Sequence, residues 1–576
     1  MRVISYNYAR YFVGRVPSHV TIGGRLSEQL IGSCIQLICR SVDKATESSV
    51  FDFLTAQVEL LHNFIRFVKK MSLSSSILVI KTVGSSLKTL KDLKNPSSVD
   101  LKPTIKLLLA LLLSTVGSIN NESEVSDVYV RLLPILCTFI EPNDYCSLSL
   151  ATIDILLKRI QTPSIWFPII QNHLHVQTIV KKLHDKTYLP SVPVILKFFL
   201  TFALVKEGAE ILANSGFFTS LRNLLENGKE SETAEIENPE RVWGLGSAVV
   251  SMIIYSLKDT DMVDYVISCF MLEKSDLISY SLTTPNFPPD VSDRKKRARA
   301  PRKQPSLSAL NETQHTLVLL CVLAKHHNLW SKTMKETDPQ LREMSIRLLS
   351  FISRGRHLAE NSPLLCHPTL KEEFEWHKKP SFINSKSGWF SFSSASTLSS
   401  STALVVVKDT SAGNNDVLHQ TMFSDMAAIE VYKIAFHLLS FLCLQAAAAA
   451  KRAEDLGFVD VAHFPDLPMP DILHGLQDQG IGVVRELCEA NRMTSEIKGV
   501  CVLLLQIIEK SLYLEFCVSQ VCGIRPVMGR IEVFSKEIKL LFAATTGHAF
   551  LEETVKSLKQ ITLYVYPGLL QTEGCL

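Results

Sequence analysis

The apolar positions of this chain recur with the period of a helix. From 54 to 68 they fall at Leu54, Val58, Leu61, Ile65 and Val68. Steps of four, three, four and three place all five on one helical face. Ile429, Tyr432, Phe436, Leu439 and Cys443 repeat the pattern. The same reading predicts helix-length segments at 24–41, 73–94, 103–119, 123–140, 146–160 and 164–184. It continues through 191–213, 239–257, 259–282, 309–330 and 339–354. Start signals agree: Asn238-Pro239-Glu240 and Asp338-Pro339 each offer a capping side chain followed by Pro at the first helical position. Gly216 and Gly228 sit where helices can stop. The segment 497–522 is apolar nearly all round, with Gln506, Glu509, Lys510 and Glu515 as a partial polar stripe. Such a helix is expected to be buried between neighbours. The run from Ile105 to Val116 carries Lys106 and spans about a dozen residues, short of the roughly 20 that cross a membrane. It reads as a buried core helix.

Strand signals are confined to Ala403-Leu404-Val405-Val406-Val407. Successive helical segments with short breaks predict an all-α protein, an irregular α-solenoid of HEAT- or armadillo-like stacked helix pairs. No strict repeat of the ankyrin or tetratricopeptide kind is present. Two stretches interrupt the pattern. One, 283–308, holds Pro285, Pro288, Pro289, Pro301 and Pro305; the other, 378–417, is Ser-rich. Neither has the apolar content to offset its ordering entropy, so both are expected as long disordered loops. The predicted order is an atypical segment 1–23, a helical-repeat block 24–282, the basic Pro-rich loop 283–308, a helical block 309–377, the Ser-rich loop 378–417 and a C-terminal helical block 418–576. Trp389, Phe390 and Phe392, inside the Ser-rich loop, are expected to tuck back onto neighbouring helices.

Composition narrows the classes. Of 576 residues, 46% are hydrophobic, enough for a core. Sixty basic and 57 acidic residues leave a formal charge of +3, which argues against a whole-surface binder of nucleic acid. The 13 Cys are scattered, many in apolar runs such as Leu37-Ile38-Cys39 and Cys501-Val502-Leu503. They read as small buried hydrophobes in a reducing compartment. The first eight residues lack the unbroken apolar core of a signal peptide.

Reactive motifs are few. Gly244-Leu245-Gly246 lacks a third Gly and a preceding strand, so it is no phosphate loop. Cys34/Cys39 and Cys517/Cys522 lack a second pair at zinc-finger spacing. His326-His327 and Cys366-His367 have no evident third ligand, and core or surface packing is preferred for all of them. No catalytic residue, cofactor, metal or small-molecule substrate is expected, and the chain reads as a non-enzyme.

The sharpest local feature is a basic run: Arg294, Lys295, Lys296, Arg297, Arg299, Arg302 and Lys303 give seven positive charges in ten residues. Such a run self-repels and stays extended. Lys296-Arg297-Ala298-Arg299 has the form of a nuclear-import signal. Nucleic acid phosphates, anionic lipid and plain solvation remain alternatives, although no aromatic platform is interleaved with the charges.

Several longer strings carry a resemblance. They are Leu364-Leu365-Cys366-His367-Pro368-Thr369-Leu370-Lys371-Glu372-Glu373-Phe374, then Ser387-Gly388-Trp389-Phe390, then Gly457-Phe458-Val459-Asp460. Pro465-Asp466-Leu467-Pro468-Met469-Pro470-Asp471-Ile472-Leu473-His474-Gly475-Leu476, Cys522-Gly523-Ile524-Arg525-Pro526-Val527 and Leu570-Gln571-Thr572-Glu573-Gly574 complete the set. From about residue 25 onward the chain resembles the C-terminal part of the giant inner-ring scaffold nucleoporins of the nuclear pore complex, the nucleoporin one-eighty-eight type in its plant form. The resemblance implies a stacked-helix superhelix and an architectural role in nucleocytoplasmic transport, located at the nuclear envelope. It implies other nucleoporins as partners, including a linker nucleoporin that docks as a short helix in a groove near 470–565, and transport receptors as a further partner class. It also implies that much longer family members contain an N-terminal superhelix and a β-rich insert that this chain lacks. No Phe-Gly dipeptide occurs, in keeping with a folded frame. The runner-up reading is a soluble armadillo- or karyopherin-like adaptor.

Overall fold

A computed structural model describes residues 25–43, 51–65, 68, 71–92, 101–119, 125–141, 144–160, 162–230, 239–283, 307–353, 424–456, 465–489, 493–522, 528–567 and 569. Among the described residues there are 22 α-helices, joined by short 3-10 and π segments, and no β-strand. The chain divides into two compact units, Met1–Glu237 and Asn238–Leu576. That division falls within the block expected at 24–282.

In the first unit, α1 (Arg25–Asp43), α2 (Phe51–Ile65), α3 (Leu73–Asp92) and α4 (Leu101–Ser118) are followed by α5 (Ser126–Cys137) and α6 (Cys146–Arg159). Then come α7 (Pro163–His173), α8 (Val176–Lys182), α9 (Val192–Phe202), α10 (Lys206–Asn214) and α11 (Phe217–Glu230). Each helix finds its principal packing partners one to three helices along the chain: α1 on α2 and α3, α4 on α2, α3 and α6, α9 on α6. The reason is in the faces. Leu54, Val58 and Leu61 of α2 are buried, as the spacing predicts. Ile65 is the last residue of that helix and Val68 lies beyond it, so the predicted five-residue face is three residues deep. The α1 reading also needs correction: Ile38 is buried, but Leu37 and Cys39 are exposed. Around α7 and α9 the core is aromatic, with Phe202 stacked on Phe167 at 5.5 Å and on Phe198 at 5.7 Å. Asp154 of α6 is buried where Thr201 of α9 and Lys158 both donate to it.

The second unit holds α12 (Pro239–Leu257), α13 (Thr260–Val266), α14 (Ser275–Thr283), α15 (Leu307–Ala324), α16 (His327–Thr333) and α17 (Asp338–Ser353). It continues with α18 (Ser424–Leu456), α19 (Pro470–Cys488), α20 (Ser495–Cys522), α21 (Met528–Thr545) and α22 (Glu552–Val565). Here α15 lies on α12, α14 and α18, the last of which starts 100 positions beyond the end of α15, and α20 lies on α18, α19 and α22. Gly244 explains the close approach of α12 and α15. A Cβ there would stand 2.8 Å from Glu312 Cα, so this glycine serves helix packing. Two ties reinforce the contact around it: Trp243 Nε1 donates to Thr316 Oγ1 at 3.0 Å, and Ser281 of α14 donates to the buried Glu312 at 2.9 Å.

Among the described residues two helices, α4 and the stretch Ala428–Arg452 of α18, are long and apolar enough by length and composition to cross a membrane. Here Leu108, Leu109, Leu111 and Leu112 of α4 are fully buried against neighbouring helices. Helix α18 buries Val431, Tyr432, Ile434, Ala435, Leu438, Leu439, Phe441 and Leu442. That set covers more than the single face suggested by Ile429, Tyr432, Phe436, Leu439 and Cys443, because α15, α17 and α20 all pack on it.

Several boundaries differ from the sequence reading. The segment expected at 164–184 is two helices, separated at Leu174 and His175. The segment 309–330 is divided at Lys325 and His326. Gly216, at φ 79°, ends α10 as expected, whereas α11 runs through Gly228 to Glu230. The Asp338 carboxylate accepts the Trp330 Nε1–H at 2.7 Å and the Arg342 guanidinium, in place of the expected backbone N–H. The β-like run 403–407, the Trp389 cluster, Cys366-His367 and both expected loops lie outside the described residues, apart from the loop edges at 283 and 307–308.

Candidate functional site

The seven basic residues Arg294, Lys295, Lys296, Arg297, Arg299, Arg302 and Lys303 lie outside the described residues. The described part of the expected groove region, 470–565, is built on α19 to α22. Its organising centre is Glu515 on α20, only 5% exposed. His474 Nε2 lies 3.0 Å from Oε1, Gln477 Nε2 donates to Oε2 at 2.8 Å, and the Tyr566 hydroxyl donates to Oε1 at 2.5 Å. Burial pushes this carboxyl up, but the bonds from His474, Tyr566 and Gln477 together outweigh it, and the pKa lies below the ordinary 4.5. Tyr566 in turn packs on Phe534 of α21, ring centroids 5.2 Å apart. One carboxylate thereby ties α19, α20 and the end of α22, and its tyrosine partner reaches α21.

Glu509 and Lys510 of the α20 stripe face a shallow groove of about 290 Å³ between α18, α20 and α22. Glu509 accepts Ser557 Oγ at 2.6 Å, and Lys510 Nζ stands 5.2 Å above the Phe436 ring. Tyr513, Ile561 and Tyr564 also line it, and Tyr564 is 71% exposed at the rim. On α21, Val533 and Leu540 are exposed seven positions apart, hence on one face. The stripe was legible as polar positions, but not as a buried centre plus a groove wall. That distinction depends on partners 38 to 51 positions away.

Among the described residues no group of three or more His, Cys, Asp or Glu is arranged to hold a metal ion. His326 and His327 line a different cavity, beside Trp330 and the end of α18. Burial pushes the Cys137 and Cys321 thiols up to about 12, so both stay protonated at neutral pH. Buried neutral thiols are poor nucleophiles. The described residues thus define an all-helical class. No protein-family model matches the chain, and no curated protein matches it.

Proposed function

We propose that this chain is a structural scaffold of the nuclear pore inner ring, which binds other nucleoporins along its helical faces and performs no reaction. The observation that carries the reading is that the chain is built of successive packed helices, each in the first unit resting mainly on helices one to three along the chain. A helix pair that cannot bury its apolar face alone stacks on the next pair, and an α-solenoid of irregular repeats results. Such arrays offer grooves in which a partner's amphipathic helix lies by anchors at i, i+3/i+4 and i+7. The strings around Leu364, Gly457, Pro465 and Cys522 support the nucleoporin assignment by their resemblance. The basic run 294–303 serves, on this reading, as an import signal. The location that follows is the nuclear envelope.

Fluorescence recovery of a tagged chain tests the proposal in living cells. A pore scaffold predicts a nuclear-rim signal that recovers very slowly after bleaching. Fast recovery throughout the nucleoplasm and cytoplasm contradicts it and favours a mobile armadillo-like adaptor. A second arm uses Val533→Asp with Leu540→Asp. The pair is expected to weaken capture of a linker nucleoporin's helical segment while leaving the melting temperature unchanged.

A further inference from the structure

A second cavity, wholly within the second unit, has a charge and hydrogen-bonding character that the scaffold reading does not use. It encloses about 650 Å³ between α16, the start of α17 and the last turns of α18. Lys325, Lys335, Arg342, Lys451 and Arg452 line it, against two carboxylates, Asp338 and Asp455. Asp338 is already engaged by Trp330 and Arg342. Lys325, Lys335, Lys451 and Arg452 make no ion pair among the described residues. Like charges gathered around one space raise its potential, and they persist at a cost unless a counter-charge is drawn in.

Two hydrogen-bonding observations bear on the same space. Gln445 of α18 is only 8% exposed, lines the cavity and has no hydrogen-bond partner among the described residues. Arg342 bonds Asp338 through Nη1, yet its Nε–H is buried without an acceptor. The Gln445 amide, open to the cavity and without a partner in the protein, is suited to a ligand rich in acceptors. His327 reports the convergence of charge independently. Burial first, then Arg452, Lys451 and His326, hold its pKa below the ordinary 6.5.

We infer that this cavity binds a small anion carrying several phosphate groups. Phosphate supplies multiple strong acceptors and multiple charges, which match the Gln445 amide donor and the uncompensated Lys325, Lys335, Lys451 and Arg452 side chains. The volume lies in the range of small-ligand sites. A free polyphosphorylated solute and the headgroup of a polyphosphorylated lipid share this chemistry. Asp455 is the one unengaged carboxylate in the wall, and it disfavours an anion at its end of the cavity.

Calorimetric titration of the full chain at physiological ionic strength tests the inference, with inorganic tripolyphosphate and inositol hexakisphosphate as probes. Saturable one-to-one binding is expected, weakened at least about tenfold by Lys451→Glu with Arg452→Glu. Gln445→Leu, which removes no charge, is expected to weaken binding several-fold, and circular dichroism checks that both variants are folded. The charge-matched control Lys536→Glu with Lys556→Glu lies outside the cavity and leaves binding unchanged. Vesicles with and without phosphatidylinositol bisphosphate separate the headgroup source from the free one. Absence of saturable binding overturns the inference, as does equal loss in the control variant or response to a phosphorylated peptide alone. These outcomes are independent of whether the chain resides in the pore.

Discussion

Glu515 concentrates the physical chemistry of the C-terminal helices in one side chain. His474, Gln477 and Tyr566 all converge on it. Glu515→Leu leaves several buried polar groups unpaired and is expected to lower stability by about 3–5 kcal/mol, read as a shift in the denaturant midpoint. The carboxyl pKa is depressed on folding, so its stabilisation is complete above the ordinary 4.5 and is lost as the pH falls below it. Glu515→Gln is expected to flatten that acid limb. His315 and His437 act at higher pH. Burial first, then Lys433 for His315, and His315, Lys433 and Lys510 for His437, bring both pKa values down to about 4. The unfolded chain therefore binds more protons between about 4 and the ordinary 6.5. Stability is greatest above that window and falls as pH drops through it. Melting curves taken across this range check the slope, and replacing both histidines with Gln removes it. Gly244→Ala drives a methyl toward Glu312 Cα and is expected to cost about 1–3 kcal/mol.

Helices were the part most open to reading from the sequence, and α12 and α15 illustrate the limits. Pro239 and the apolar period fixed α12 at 239–257 to the residue. The break between α15 and α16 at Lys325 and His326 has no Gly or Pro to announce it. It exists because Trp330 turns inward to meet Asp338 and Phe441, its ring centroid 5.9 Å from that of Phe441. The same tertiary dependence hid Glu515, which by sequence is one more charge on a polar stripe. It also hid the cavity beside His327, whose walls come from helices more than 100 positions apart. Burial by element yields a direct comparison. Leu512 of α20 is fully buried and Leu540 of α21 is partly exposed. Leu512→Ala is expected to destabilise by roughly 2–5 kcal/mol, and Leu540→Ala by no more than about 0.5 kcal/mol. Equal effects in chemical denaturation contradict the placement of α20 at the centre of its helix group.

At the scale of the whole molecule, the two units each carry their own core, although periodicity alone ran one block from 24 to 282. A period of 3.6 tells which face is buried but not which neighbour covers it. The unit Asn238–Leu576, expressed alone, is therefore expected to melt cooperatively with a helical circular dichroism spectrum. A broad, non-cooperative transition counts against it. The proposed scaffold role rests on resemblance, because a scaffold works by its faces and leaves no reactive signature in the sequence. The most direct test of the scaffold account is proximity labelling from the tagged full-length chain in living cells. The account predicts enrichment of inner-ring nucleoporins among the labelled neighbours. A labelled set without pore proteins, dispersed among soluble cytosolic partners, contradicts it.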